Sequence, residues 1–234
     1  MMNKLVHFHT FSNSQSLADA LSQKVATDLE AALAKKGKAT LLVSGGSTPI
    51  TLFEKLQKCD IDWSKVRIGL CDERWVPPQH PDSNERLIKQ KLMQSYAAKA
   101  EFIGMYHDTP SAKDAQLDCA AEIKQKLLPF DVLILGMGKD AHTASLFPHN
   151  PKLKEGLDIH NTSLCIALKP LDALHSRMSL TLPAILSADH LYLHFEGEEK
   201  RAVYKNALEG NDIYEMPIRA LLQQKQKKVE VYYA

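Results

Sequence analysis

The chain has 234 residues, long enough for a core that hides roughly 70% of the surface an unfolded chain exposes. Its 44% hydrophobic and 24% charged residues exclude global disorder. Lys plus Arg number 29 and Asp plus Glu 28, a formal net charge of +1, so the basic balance that nonspecific nucleic-acid binding draws on is missing and no nucleic-acid partner is expected. No apolar run approaches the ~18 residues that cross a bilayer, so no membrane association is expected either. Histidines interrupt the apolar start Leu5-Val6-His7-Phe8-His9, which gives no export signal. The four cysteines (Cys59, Cys71, Cys119, Cys165) are dispersed without a C-x-x-C pair and read as buried, reduced thiols of a cytoplasmic protein.

In chain order, strand and helix patterns alternate. Residues 4–8 read as a first strand. A helix follows from a cap near Ser14 or Ser16, with Leu17, Leu21, Val25, Leu29 and Ala32 at helical spacing and Gly37 as its stop. Residues 39–43 are a short apolar run, as in a strand buried on both faces. They lead into Ser44-Gly45-Gly46-Ser47-Thr48-Pro49, where Ser47 or Thr48 can cap a helix that starts at Pro49 and buries Ile50, Phe53 and Leu56. Strand 66–71 enters a charged loop, 72–78, and then a helix capped by Ser83 or Asn84. Residues 113–128 have a helical period. Residues 131–135 are the clearest buried strand and end at Gly136-Met137-Gly138. Segments 163–168 and 191–195 read as strands, 198–208 and 218–226 as helices, and 229–233 as a closing strand. With no repeat or low-complexity linker, the expectation is one domain over residues 1–234. Its class is α/β, an open, mostly parallel, Rossmann-like sheet flanked by helices, with room for a small additional α/β subregion. Ligands of such sheets bind outside the carboxyl ends of the strands, so the post-strand loops should carry the function.

Three of those loops have suitable chemistry. In the first, Gly45 and Gly46 let the main chain approach a ligand, and Ser47, Thr48 and the helix start add donors that suit a phosphate. No Gly-Lys-Ser/Thr follows, so it is not a Walker A loop. In the second, Asp72-Glu73-Arg74 brings three charges to the end of an apolar strand. Arg74 can grip a phosphate or carboxylate through two parallel hydrogen bonds, and Asp72 can bind sugar hydroxyls or move protons. In the third, Gly136 to Pro148, His142 is suited to act as a general base, with Asp140 two residues away in a tight turn. Gly136-x-Gly138-x-x-Ala141 superficially matches a dinucleotide fingerprint, but strand 163–168 ends at Lys169, where the fingerprint requires an acidic residue. Arg177 and Lys200 are further candidate phosphate ligands. The other histidines, including His7, His9, His190 and His194, match no metal-ligand spacing, so neither a metal nor another cofactor is expected.

The ordered motifs Ser44-Gly45-Gly46-Ser47-Thr48-Pro49, Asp72-Glu73-Arg74-Trp75-Val76-Pro77, Gly136 through Pro148 and Arg177-Met178-Ser179-Leu180-Thr181 resemble those of the 6-phosphogluconolactonases, over essentially the whole chain. That family is grouped with the glucosamine-6-phosphate deaminases. Deaminases continue after the histidine with Ile-Ala-Phe-Asn-Glu-Pro; here Thr143-Ala144-Ser145-Leu146-Phe147-Pro148 follows, as in lactonases, with no acidic residue. The resemblance implies a monomer or small homo-oligomer that hydrolyses a phosphorylated sugar lactone. Gly45, Gly46, Ser47, Thr48, Arg74, Arg177 and Lys200 would hold the substrate, and Asp140 and Asp72 would orient water or hydroxyls. His142 would activate water, with N–H groups near Gly45 or Gly138, or Arg74, facing the oxyanion. Ala141 stands where the family usually has glycine; a left-handed backbone there would cost on the order of 1–2 kcal/mol. A deaminase, a sugar-phosphate sensor and a dinucleotide oxidoreductase are the rival readings.

Overall fold

The computed structural model describes residues 3–171 and 173–234. β1 (Val6–Thr10) leads to α1 (Ser14–Lys36), β2 (Ala39–Val43), α2 (Ile50–Leu56) and β3 (Val66–Leu70). β4 (Asp72–Arg74), α3 (Asn84–Lys91), β5 (Glu101–Phe102), α4 (Ala112–Lys126) and β6 (Val132–Leu135) follow. The remainder comprises α5 (Leu153–Leu157), β7 (Cys165–Leu168), β8 (Arg177–Leu180), α6 (Leu182–Leu186), β9 (His190–Phe195), α7 (Glu198–Glu209), α8 (Ile218–Gln223) and β10 (Val229–Tyr233).

Seven strands form the expected sheet, in the order β1-β10-β9-β6-β2-β3-β5, and every neighbouring pair is parallel. The chain steps outward from β2 to β3 and β5, then returns to the other side of β2 as β6. This reversal makes the crevice beyond the carboxyl ends of β2 and β6 the natural ligand site. The central strands β2 and β6 are buried at every residue, which explains their unbroken apolar runs. Their opposite ends are fastened by Asp131, whose Oδ2 accepts from Thr40 N at 2.8 Å and whose Oδ1 pairs with Lys36 at 2.6 Å. α1 lays Leu17, Leu21, Val25 and Leu29 into the core, as their spacing predicts. Among the described residues, no helix is long and apolar enough to cross a membrane. Cys71, Cys119 and Cys165 are buried and Cys59 is half-buried, all as free thiols.

The departures from expectation are local. The cap of α1 is Asn13, whose side chain accepts from Ser16 N, rather than Ser14 or Ser16. α2 begins at Ile50 with no side-chain cap; Pro49 is only its boundary. The Thr48 hydroxyl instead accepts from Lys200 Nζ at 3.1 Å. Of the two candidate caps for α3, Ser83 is the one used. The charged loop at 72–78 begins as strand β4. It pairs antiparallel with β8, which in turn pairs with β7, making a second, three-stranded sheet. This small sheet, with α4 bonded to it through Gln116 Oε1 and Ala167 N (2.9 Å), is the additional subregion.

Candidate active site

A cavity opens at the switch point between β2 and β6, small enough for one metabolite-sized ligand. The loop after β2 supplies Gly45, Gly46, Ser47 and Thr48 to its wall. β4 supplies Asp72 and Arg74, the loop after β6 supplies His142, and α7 supplies Lys200. Eight of the ten residues selected from sequence therefore line one cavity. The other two adjoin it: Asp140 is paired with His142, and Arg177 is the cross-strand partner of Arg74.

The glycine loop is shaped by two separate constraints. Gly46 has φ +100°, a left-handed conformation that glycine adopts without steric cost. A Cβ on Gly45 would lie 2.0 Å from Asn84 Oδ1, so the main chain passes directly over that side chain. Among the described residues, the N–H groups of Gly45, Gly46, Ser47 and Thr48 have no hydrogen-bond partner within the protein. Four successive unpaired donors are the groups from which an anion-binding nest is made. Lys200 adds a cation beside Thr48, and burial lowers its pKa below the ordinary lysine value, with Glu196 opposing. A bound anion would offset that cost of burial.

Strand alternation explains the Asp-Glu-Arg triplet. Asp72 and Arg74 face one side of β4, towards the cavity. Glu73 faces the other way and is fully buried at the start of α3. It accepts from Asn84 N (2.7 Å), Glu85 N (2.8 Å), Arg74 N (2.7 Å) and Ser83 Oγ (3.1 Å). Burial pushes its carboxyl up to about 7, against these main-chain donors. Glu73 thus ties α3, and with it Asn84, to β4. Asp72 is less free than expected, because its Oδ2 accepts from Ser145 Oγ at 2.6 Å. Arg177 is directly opposite Arg74 across the β4–β8 pair. Burial and the Arg74 charge together lower its pKa. The named hydrogen bonds of both guanidiniums go to uncharged carbonyls: Arg74 Nη1 donates to Asp82 O (2.6 Å) and Arg177 Nη1 to His175 O (2.9 Å).

The loop after β6 is built around a histidine–carboxylate pair. His142 Nδ1 is 2.5 Å from Asp140 Oδ1, and His142 N donates to the same oxygen at 3.2 Å. Burial raises the Asp140 pKa, but its bonds to His142 outweigh this and hold it below the ordinary aspartate value. An ionised Asp140 keeps the ring proton on Nδ1, which leaves Nε2 with a lone pair. Asp140 Oδ1 therefore holds the imidazole, a contact beyond the expected one to water or a sugar hydroxyl. A Cβ on Gly138 would lie 2.2 Å from His142 Nδ1 and 2.5 Å from Asp140 Oδ1, so glycine makes room for the pair. Gly138 N donates to His142 O at 2.9 Å, which removes it from the expected oxyanion donors. Ala141 has φ 65° and Ala144 has φ 47°. The strain foreseen at Ala141 is present, yet His142 keeps its bond to Asp140. On the other side of the ring, Phe147 lies 4.3 Å from His142 between centroids and 5.9 Å from the Arg177 guanidinium carbon.

The sequence does not single out Asn84, Ser145 or His194 as parts of this site. Asn84 and His194 line the cavity and Ser145 holds Asp72. Their roles arise from contacts between distant segments, which even the motif that contains Ser145 does not reveal.

The family model "Glucosamine-6-phosphate isomerases/6-phosphogluconolactonase" matches residues 12–231. A 6-phosphogluconolactonase of Pseudomonas putida is 44% identical over 217 residues, 93% of this chain and 89% of that one. Another, from Rhizobium meliloti, is 39% identical over 97% of this chain and 98% of its own. The crystal structure of a 6-phosphogluconolactonase from Shewanella baltica superposes with a TM-score of 0.95 at 42% identity, covering 100% of this chain and 99% of that one. With the cavity at the same switch point that the motifs mark, the chain belongs to the glucosamine-6-phosphate isomerase/6-phosphogluconolactonase family.

Proposed function

We propose that the protein hydrolyses 6-phospho-D-glucono-1,5-lactone to 6-phospho-D-gluconate in the cytoplasm, with His142 as general base. The observation that carries this reading is the pairing, in one cavity, of an anion nest beside Lys200 with an imidazole whose Nε2 is left free by Asp140. The phosphate is taken by the N–H groups of residues 45–48, Lys200 and Arg74, with Arg177 adding positive field from beside Arg74. This anchor sets the lactone carbonyl near His142. Nε2 accepts a proton as water forms a bond to the carbonyl carbon, giving a tetrahedral oxyanion. Collapse breaks the bond from that carbon to the ring oxygen, which takes the proton back from the imidazolium. The new carboxylic acid ionises in solvent. Asp140 stays ionised throughout and stabilises the imidazolium.

The residues around His142 favour hydrolysis over deamination. Its carboxylate partner precedes it, at Asp140, and residues 143–148 contain no acid. Freshly prepared lactone, assayed by coupling 6-phosphogluconate to its dehydrogenase, should open faster with the protein than spontaneously. Glucosamine 6-phosphate should release no ammonia. Ammonia release without acceleration of lactone opening would replace this reading with the deaminase one.

A further inference from the structure

Three metal-ligating side chains from two distant stretches of sequence meet beside the Arg74–Arg177 pair. His80 and Asp82 lie in the turn between β4 and α3, and His175 lies just before β8. His175 Nε2 is 2.9 Å from Asp82 Oδ2, and His80 Nδ1 is 3.8 Å from the same oxygen. All three candidate ligand atoms lie within 4.8 Å of one another. The two imidazoles meet edge to face, with centroids 5.3 Å apart. A tetrahedral ion with bonds of about 2.0–2.2 Å spaces its ligands about 3.3–3.5 Å apart, and the observed separations straddle that value.

We propose that His80, Asp82 and His175 bind a divalent transition metal of the zinc class. Two imidazole nitrogens and one carboxylate oxygen suit such an ion and are too rich in nitrogen for calcium or magnesium. Binding requires only local changes. His175 carries its ring proton on Nδ1, so that Nε2 offers a lone pair. His80 Nδ1 exchanges the hydrogen bond it accepts from Asp82 N, 3.1 Å, for the metal. The Asp82 side chain is 51% exposed, which leaves a solvent route and an open coordination position.

Two of the three ligands, Asp82 and His175, also hold the arginine pair through their main chains, Asp82 O taking Arg74 and His175 O taking Arg177. An ion here would clip the 80–82 turn to the approach of β8 and fix the two guanidiniums relative to each other. Their positive charge opposes the ion, so the site loads reversibly rather than serving as a permanent structural centre. The sequence conceals this grouping because His175 lies 93 residues beyond Asp82.

The test is a zinc titration of the tag-free chain against a chromophoric chelator, with thermal melting as a second readout. One zinc per chain is expected. The melting midpoint should rise by roughly 5–10 °C at a hundredfold excess over Kd. His175→Ala and Asp82→Asn should each weaken binding by more than about tenfold, and His142→Ala should not. The proposal is overturned if the wild-type chain binds no zinc, if binding survives both His175→Ala and Asp82→Asn, or if only His142→Ala abolishes it.

Discussion

Replacing His142 with alanine is expected to lower kcat for 6-phosphogluconolactone by about 10²–10⁴-fold, the usual contribution of a positioned general base. The fold should survive, because the His142 side chain is 30% exposed and its contacts are with Asp140 and Phe147, outside the main core. The variant keeps the nest and its cations, so KM should change far less than kcat. Steady-state rates corrected for spontaneous opening, together with a thermal melt, provide the check. Near-normal turnover would remove His142 from the base role. The strain at Ala141 is separate from this expectation. The left-handed turn costs on the order of 1–2 kcal/mol of stability, while the imidazole still sits against Asp140.

The second large effect is expected at Lys200. Its ammonium lies 3.1 Å from Thr48 Oγ1, at the edge of four unpaired N–H groups. A hydrogen bond to a charged group contributes about 1.5–3 kcal/mol, so Lys200→Ala should raise KM for the phosphorylated lactone by about 10- to 150-fold. Unphosphorylated glucono-1,5-lactone has nothing for Lys200 to hold, and its KM should not move. The substitution strands no buried carboxylate, because Lys200 donates to a hydroxyl; the loss should therefore be one of binding and not of folding. An equal change for both lactones would put the phosphate elsewhere. Arg177→Ala should have a smaller effect, since Arg177 does not line the cavity and its guanidinium is held by His175 O.

Much of this architecture is legible in the sequence where one local rule decides the outcome. The runs at 39–43 and 131–135 read as strands buried on both faces because both faces of the sheet are covered. Leu17, Leu21, Val25 and Leu29 read as one helical stripe because they do face the core. What escapes the sequence depends on pairing at a distance. β4 is three charged residues with no apolar face, and β8, though Arg177-Met178-Ser179-Leu180 alternates, is only four residues long, too short for a pattern to mark it. They become strands by pairing, β8 with β7 and β4 with β8, which also sets Arg74 opposite Arg177. The divided roles of Asp72, Glu73 and Arg74 follow from that same pairing. The glycine at 45 reads from sequence as loop flexibility; the structure adds that Asn84, 39 positions on, leaves no space for a side chain. Asp140 is visible beside His142, but its task of fixing the ring tautomer depends on a turn closed by Gly138 and His142.

A crystal of the protein grown with 6-phosphogluconate tests the central assignment most directly. The phosphate is predicted to rest on the main-chain N–H groups of residues 45–48 and on Lys200, with the product carboxylate within hydrogen-bond reach of His142 Nε2. A phosphate bound away from that loop, or a carboxylate end turned away from the imidazole, would contradict it.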